Sequence, residues 1–181
     1  TPSSVATITT GAATMKTIYA TSGAISIPSL SVYEFPEIAS LSSWQIDISF
    51  TATGGAGTWR ALVGDMYNSV NSRGWGLWLS SSNRISWSWT GTTTEPVTIS
   101  VNLNTAYVLT AAQSSGTITL TLRTVSSGAI QTGSFSNGAN VMGKGPVTIG
   151  GWQIPGSENF IGTISYVNVS VPTNQRVVTL S

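Results

Sequence analysis

Residues 44–50 read "WQIDISF", and their parity decides the fold class. Trp44, Ile46, Ile48 and Phe50 alternate with Gln45, Asp47 and Ser49, so an extended chain puts the four apolar side chains on one face and the polar ones on the other. The same period recurs in "RISWSW", where Ile85, Trp87 and Trp89 share a face opposite Ser86 and Ser88, and in "TITLTLRTV" through Ile118, Leu120 and Leu122. "PVTISVNL" and "AYVLTAAQ" predict two further strands. Between the runs lie "TATGGAG", "NSVNSRG", "SSSN", "TGTTTEP", "SNGAN" and "PGSEN", clusters of turn-forming residues. No window keeps a helical period; "YEFPEIASL" comes nearest, and Pro36 interrupts it. One all-β domain of about a dozen strands is expected over residues 1–181. Residues 1–22 read either as a first strand or as an arm reaching to a neighbour.

Alternation fails in one place. In "FIGTISYVNVSV", Ile164 and Tyr166 share one parity while Val167, Val169 and Val171 share the other. A β-bulge or a strand buried on both faces would account for this, and Gly162 suits a bulge or a close backbone approach.

Composition removes several function classes. The chain has 181 residues, 40% of them hydrophobic and seven of them Trp, enough to bury a core. Only 7% are charged, against roughly 25% in an average soluble protein, so Ser, Thr and Asn must solvate the surface. The net charge is +1, and Lys16, Arg60, Arg73, Arg84, Arg123, Lys144 and Arg176 form no run. Binding a phosphate backbone takes several cations together, so nucleic acid is not expected. No apolar stretch approaches the roughly 20 residues of a membrane span, so no insertion is expected either. The absence of Cys leaves the compartment open. "TPSSVATITTGAATMK" has neither the n-region nor the h-region of a signal peptide.

Taken in order, "GAISIP", "LSSWQIDISFTA", "WRALVGDMYNSVNSRGWGLWLSSSNRISWSW", "TAYVLTAAQSSGTITLTLRTV", "VTIGGW" and "FIGTISYVNVS" resemble the laminin-G-like, or concanavalin-A-like, lectin family. The resemblance covers about Gly23 to Ser170 and implies a jelly-roll β-sandwich of two antiparallel sheets. It also implies that Gly150 and Gly151 end one strand, that Phe160 to Gly162 begin the closing one, and that Trp152 sits at the mouth of the loop between them. Trp152 would there floor a ligand site, cover the sandwich end or cap an edge.

With no His and no Cys, the chain has no Ser-His-Asp or Cys-His nucleophile pair and no zinc or iron site of ordinary ligand type. Paired carboxylates remain, drawn from Glu34, Glu37, Asp47, Asp65, Glu95 and Glu158. Glycosidases of the resembled fold place acids two apart on one strand. Glu34 and Glu37 are three apart across Pro36, which sends them to opposite faces of a strand. The expectation is therefore a protein that is not an enzyme.

Sugars offer apolar C–H faces and dense hydroxyls, so their sites combine an aromatic ring with Asn, Asp, Arg or backbone groups. The loop "GDMYNSVNSRG" supplies Asp65, Tyr67, Asn68, Asn71 and Arg73, on the kind of connection where binding groups usually lie. Trp75 and Trp78 have opposite parity. Trp75 joins Leu77 and Leu79 as core, which leaves Trp78 as the more exposed ring. The candidate ligand-binding set is Asp65, Tyr67, Asn68, Asn71, Arg73, Trp78 and Trp152. Asp65, Asn68 and Asn71 could contribute to a calcium site, although calcium takes six to eight oxygens and only one of the three is a carboxylate.

The function expected is a recognition module that binds carbohydrate or another cell-surface feature. The setting is a phage virion, as tail, fibre or capsid decoration, or a secreted bacterial protein, and the lack of a leader favours the virion. The rival is a structural virion or surface-assembly subunit that binds no glycan. Low net charge does little to keep copies apart, so self-association and contacts with other virion or surface proteins are expected.

Overall fold

The computed structural model describes residues 4–10, 13–20, 25–27, 43–64, 75–89, 92–94, 99–136, 147–151, 158–171 and 174–180. Among them every regular element is a strand: β1 (Ser4–Thr10), β2 (Ala13–Ala20), β3 (Ile25–Ile27), β4 (Ser43–Ala52), β5 (Arg60–Gly64), β6 (Trp75–Leu79) and β7 (Ile85–Trp89). There follow β8 (Thr92–Thr94), β9 (Ala106–Ser114), β10 (Thr117–Thr124), β11 (Ile130–Ser136), β12 (Val147–Ile149), β13 (Gly162–Val171) and β14 (Asn174–Leu180). They form two antiparallel sheets, ordered β11-β10-β9-β4-β13-β14-β1-β2 and β3-β12-β5-β6-β7-β8. Residues 1–22 thus include two strands at one edge of the larger sheet, β1 pairing with β14.

The opening heptapeptide forms the middle of the larger sheet. Trp44, Ile46, Ile48 and Phe50 are buried, while Gln45, Asp47 and Ser49 stand on the outer face. Leu109 and Ala111 of β9 and Ile118, Leu120 and Leu122 of β10 extend that inner face. Leu62, Val63, Trp75, Leu77, Leu79, Ile85 and Trp87 meet it from the smaller sheet. Each large apolar side chain so buried contributes about 1.5–3 kcal/mol, and the inner faces interdigitate as in other sandwiches.

The parity failure near the C-terminus is a bulge. Ile164 pairs with Phe50 and Tyr166 with Ser49, leaving Ser165 as the extra residue. Ile164 and Val167 thereby both reach the core although three positions apart. Gly162 has φ +147°, and a Cβ there would come within 2.0 Å of the Thr51 carbonyl oxygen. That is the close backbone approach its position suggests.

"PVTISVNL" departs from its reading as a strand. Among the described residues 99–103, Ser100 makes only an isolated bridge to Arg84. Ile99 and Val101 are buried, so the alternation is real, but a side chain replaces the strand on the other side. The Gln131 carboxamide accepts from the Ser100 N–H (2.9 Å) and donates to its carbonyl (3.0 Å). "YEFPEIASL" lies outside the described residues.

Several connections gather at one end of the sandwich. They are residues 53–59 between β4 and β5, residues 80–84 between β6 and β7, the segment 100–105 before β9, the β10–β11 turn, and residues 158–161 before β13.

Candidate functional site

Residues 65–74 connect β5 to β6, and Asp65, Tyr67, Asn68, Asn71 and Arg73 in that connection lie outside the described residues, as does Trp152. The flanking strands fix where these stretches start. β5 ends at Gly64, paired with Gly76 of β6. β12 runs antiparallel to β5, Thr148 opposite Gly64 and Ile149 opposite Val63, and continues so that the Gly150 N–H donates to the Leu62 carbonyl. The strand end before residue 65 and the strand end before residue 152 are therefore at opposite ends of this strand pair. The strand expected to end at Gly150 and Gly151 ends one residue earlier, at Ile149, and of the expected Phe160 to Gly162 only Gly162 lies in the closing strand.

Trp78 is corrected. Its face is the expected one, opposite Trp75, but that face is covered: Trp78 is only 6% exposed. Its row is built of small residues, Ala61 on β5 and Ser86 on β7, with Gly76 two positions back. A Cβ on Gly76 would come within 2.6 Å of the Trp78 Nε1. The indole thus lies down over a glycine instead of standing off the sheet. Ser86 and Ser88 on the same face are buried as well, and the Ser86 hydroxyl has no hydrogen-bond partner among the described residues. Parity found the face, whereas its burial, shared with Ser86 and Ser88, is set by what covers that face and not by the strand's own pattern. Trp75 and Trp87 are core, as expected.

The outer face of the larger sheet carries a polar cluster that the sequence did not single out. The Asp47 carboxylate accepts from Gln45 Nε2 (2.8 and 3.0 Å), Thr110 Oγ1 (2.7 Å) and Asn168 Nδ2 (3.3 Å). Three strands are thereby tied together, and the carboxylate is occupied. Burial, and then the Asp47 charge, raise the Tyr166 phenol above its ordinary range, while Arg123 acts the other way.

Arg60 is the buried charged residue among those described. It has no exposed surface, and burial lowers its guanidinium from the ordinary value. Its Nη1 donates to the Gly54 carbonyl (2.6 Å), its Nε to the Thr58 carbonyl (3.3 Å), and its Nη2 to the Ser80 carbonyl (3.3 Å) and Asn83 Oδ1. One side chain thus satisfies acceptors on two loops, and the planar fork of donors suits the task. Glu158 stands at the same end. Its carbonyl accepts from the Ala61 N–H (2.9 Å), and burial raises its carboxyl. Among the described residues no group of three His, Cys, Asp or Glu could hold a metal ion. None of their helices is long and apolar enough to cross a membrane.

No protein-family model matches the sequence, and no curated protein does. Solved structures do match. The chain is similar to the CBM40 of the Ruminococcus gnavus IT-sialidase (TM-score 0.60, 14% identity, 82% of this chain and 86% of that one). It is similar to the same module bound to α2,3-sialyllactose (TM-score 0.59, 14% identity, 87% and 86%). A third match is the enzymatically active domain of tailspike protein 2 from bacteriophage CBA120 (TM-score 0.53, 13% identity, 76% of this chain and 23% of that one). The fold is thus an all-β sandwich of two antiparallel sheets, similar to the jelly-roll-like sandwich of the CBM40 module. At these identities the likeness is one of fold.

Proposed function

We propose that this chain is a non-enzymatic recognition module that binds carbohydrate at a cell surface, working in a phage virion or as part of a secreted bacterial protein. The observation that carries this reading is the match, over most of both chains, to a module whose structure holds sialyllactose. Two features support the non-enzymatic part. The Asp47 carboxylate is taken up by internal donors on the larger sheet, and Glu158 belongs to the connection beside the smaller one. Among the described residues these are the two carboxylates, and they stand on different parts of the sandwich and not as the facing pair that glycoside hydrolysis requires.

Asp65, Tyr67, Asn68, Asn71 and Arg73 are the ligand-binding residues of this reading, with Asp65, Asn68 and Asn71 as its calcium ligands; Trp152 follows the strand end at the opposite end of the β5–β12 pair and is a separate contact. Alanine at Tyr67 and at Arg73 is expected to weaken glycan retention, and a chelator is expected to do so only if calcium bridges the loop. Full retention in both variants would remove the loop from the site.

A structural role in a virion is the second reading, favoured by the tailspike match and by Ile130, Val125 and Ile161, each about half exposed. A concentration-dependent mass in solution with no glycan binding would select it.

A further inference from the structure

The five Trp side chains described in full separate sharply. Trp44, Trp75, Trp78 and Trp87 are at most 6% exposed, whereas Trp59 is 37% exposed. Trp59 closes the 53–59 connection, and that connection is held rigidly. The Thr53 N–H donates to the Ile161 carbonyl (2.9 Å), the Gly57 N–H to the Ser81 carbonyl (3.0 Å), and the Thr58 N–H and hydroxyl both to the Gly55 carbonyl. Arg60 fastens the loop from below through Gly54 and Thr58. The clearance there is small, since a Cβ on Gly55 would come within 2.5 Å of Arg60 Cδ.

The rim of this end is polar and conformationally set. Three of the four non-glycine residues with positive φ among the described residues stand here: Asn83 (57°), Asn104 (59°) and Glu158 (51°). Such backbone is uncommon and persists where surrounding contacts enforce it. Here the Val101 N–H bonds the Asn83 carbonyl, the Asn104 N–H bonds the Ala52 carbonyl, and the Ala61 N–H bonds the Glu158 carbonyl. An exposed indole on a fixed loop, at the end of the sandwich that also carries Ile161, Asn83, Asn104 and Glu158, offers the chemistry a pyranose ring calls for: a C–H face to stack and hydroxyls to bond. Because the loop is already ordered, little conformational entropy would be lost on binding. Glu158 supplies an acceptor for hydroxyls and repels an anionic sugar.

We infer that the end of the sandwich formed by residues 53–59, 80–84, 102–104 and 158–161 is a second carbohydrate site, with Trp59 as its stacking platform and uncharged pyranosides as its ligands. It rests on the glycan-recognition reading but is separate from the 65–74 loop, since β5 leads from Arg60 at this end to Gly64 at the other. Arg60 is a positioning residue here.

The test titrates the full chain with maltohexaose, cellohexaose and α2,3-sialyllactose, read by calorimetry and indole fluorescence. At least one neutral oligosaccharide is expected to bind with a change in indole emission. Trp59→Ala should weaken it about tenfold or more, the equivalent of about 1.4 kcal/mol, with Trp59→Phe intermediate and the thermal midpoint of both variants near that of the parent. Glu158→Gln should narrow the preference for neutral over sialylated sugar. Neutral-sugar binding that survives Trp59→Ala but is lost in Tyr67→Ala would overturn the second site alone. Absence of binding to any glycan would overturn the second site together with the recognition reading.

Discussion

Trp44 of the larger sheet stacks on Trp87 of the smaller one, ring centroids 5.1 Å apart and planes 24° from parallel. Trp75 stacks on the same Trp87 at 6.0 Å and 12°, so three indoles form a column that joins the sheets. Their polar ends differ. Trp44 Nε1 donates to Gln113 Oε1 (3.2 Å), while Trp87 Nε1 is buried with no hydrogen-bond partner among the described residues.

Alanine at either Trp44 or Trp87 is expected to cost about 3–5 kcal/mol, as for other buried aromatic truncations. The double variant should fall short of the sum, because the contact is lost only once. Phenylalanine separates them: Trp87→Phe removes a donor that has no acceptor among the described residues, whereas Trp44→Phe removes the bond to Gln113 Oε1 at a cost of about 0.5–1.5 kcal/mol. Denaturant unfolding should find Trp87→Phe the more stable of the two, and the reverse order would contradict the column as described.

Gly162 cannot take a side chain. With φ +147° and a Cβ position 2.0 Å from the Thr51 carbonyl oxygen, Gly162→Ala must push β13 off β4 at the head of the bulge. A loss of about 3 kcal/mol or more is expected. Gly128, at φ +71° with nothing near its Cβ position, should lose only about 1–2 kcal/mol as alanine, from the backbone alone. Equal losses would mean that the close approach is not what constrains Gly162.

Tyr166 gives a pH signature. Its folded phenol is raised, first by burial and next by Asp47, so the folded protein holds this proton more tightly than the unfolded chain. The stability so gained is fully present below the unfolded tyrosine range and is lost as pH rises through the folded value. Asp47→Asn should lower the phenol toward its ordinary range and Arg123→Gln should raise it further. Ultraviolet titration of tyrosinate checks both directions, and an unmoved Tyr166 in Asp47→Asn would show that the carboxylate does not act on it.

Much of this architecture was legible because half-buried strands write their parity into the chain. "WQIDISF" and "TITLTLRTV" read correctly, since one face of each strand is core and the other polar, and the parity failure in "FIGTISYVNVSV" was visible although a bulge and a doubly buried strand both fitted it. Legibility failed where a residue's surroundings came from elsewhere in the chain. Ile99 and Val101 alternate with Ser100, yet the Ser100 backbone bonds the Gln131 carboxamide where a neighbouring strand was expected. Trp78 lies on the expected face, but that face, with Ser86 and Ser88 on it, is covered, and its ring lies over Gly76. Arg60 looked like any scattered cation, and no local pattern announces a guanidinium whose acceptors are Gly54, Thr58, Ser80 and Asn83. Asp47 belongs to a legible strand, but its partners Thr110 and Asn168 are far off in sequence. The loop carrying Asp65, Tyr67, Asn68, Asn71 and Arg73 stood out by composition, and the strands at Gly64 and Trp75 confirm only where it begins and ends.

The central claim is carbohydrate recognition by a sandwich of this class, and a glycan-array screen of the purified chain, with and without calcium and with its mass measured by light scattering, tests it most directly. Saturable binding to a defined glycan class, lowered by alanine at Tyr67 or Trp59 without loss of fold, is the result expected. A folded chain of defined mass that retains no glycan under either condition would contradict it and leave an assembly subunit in its place.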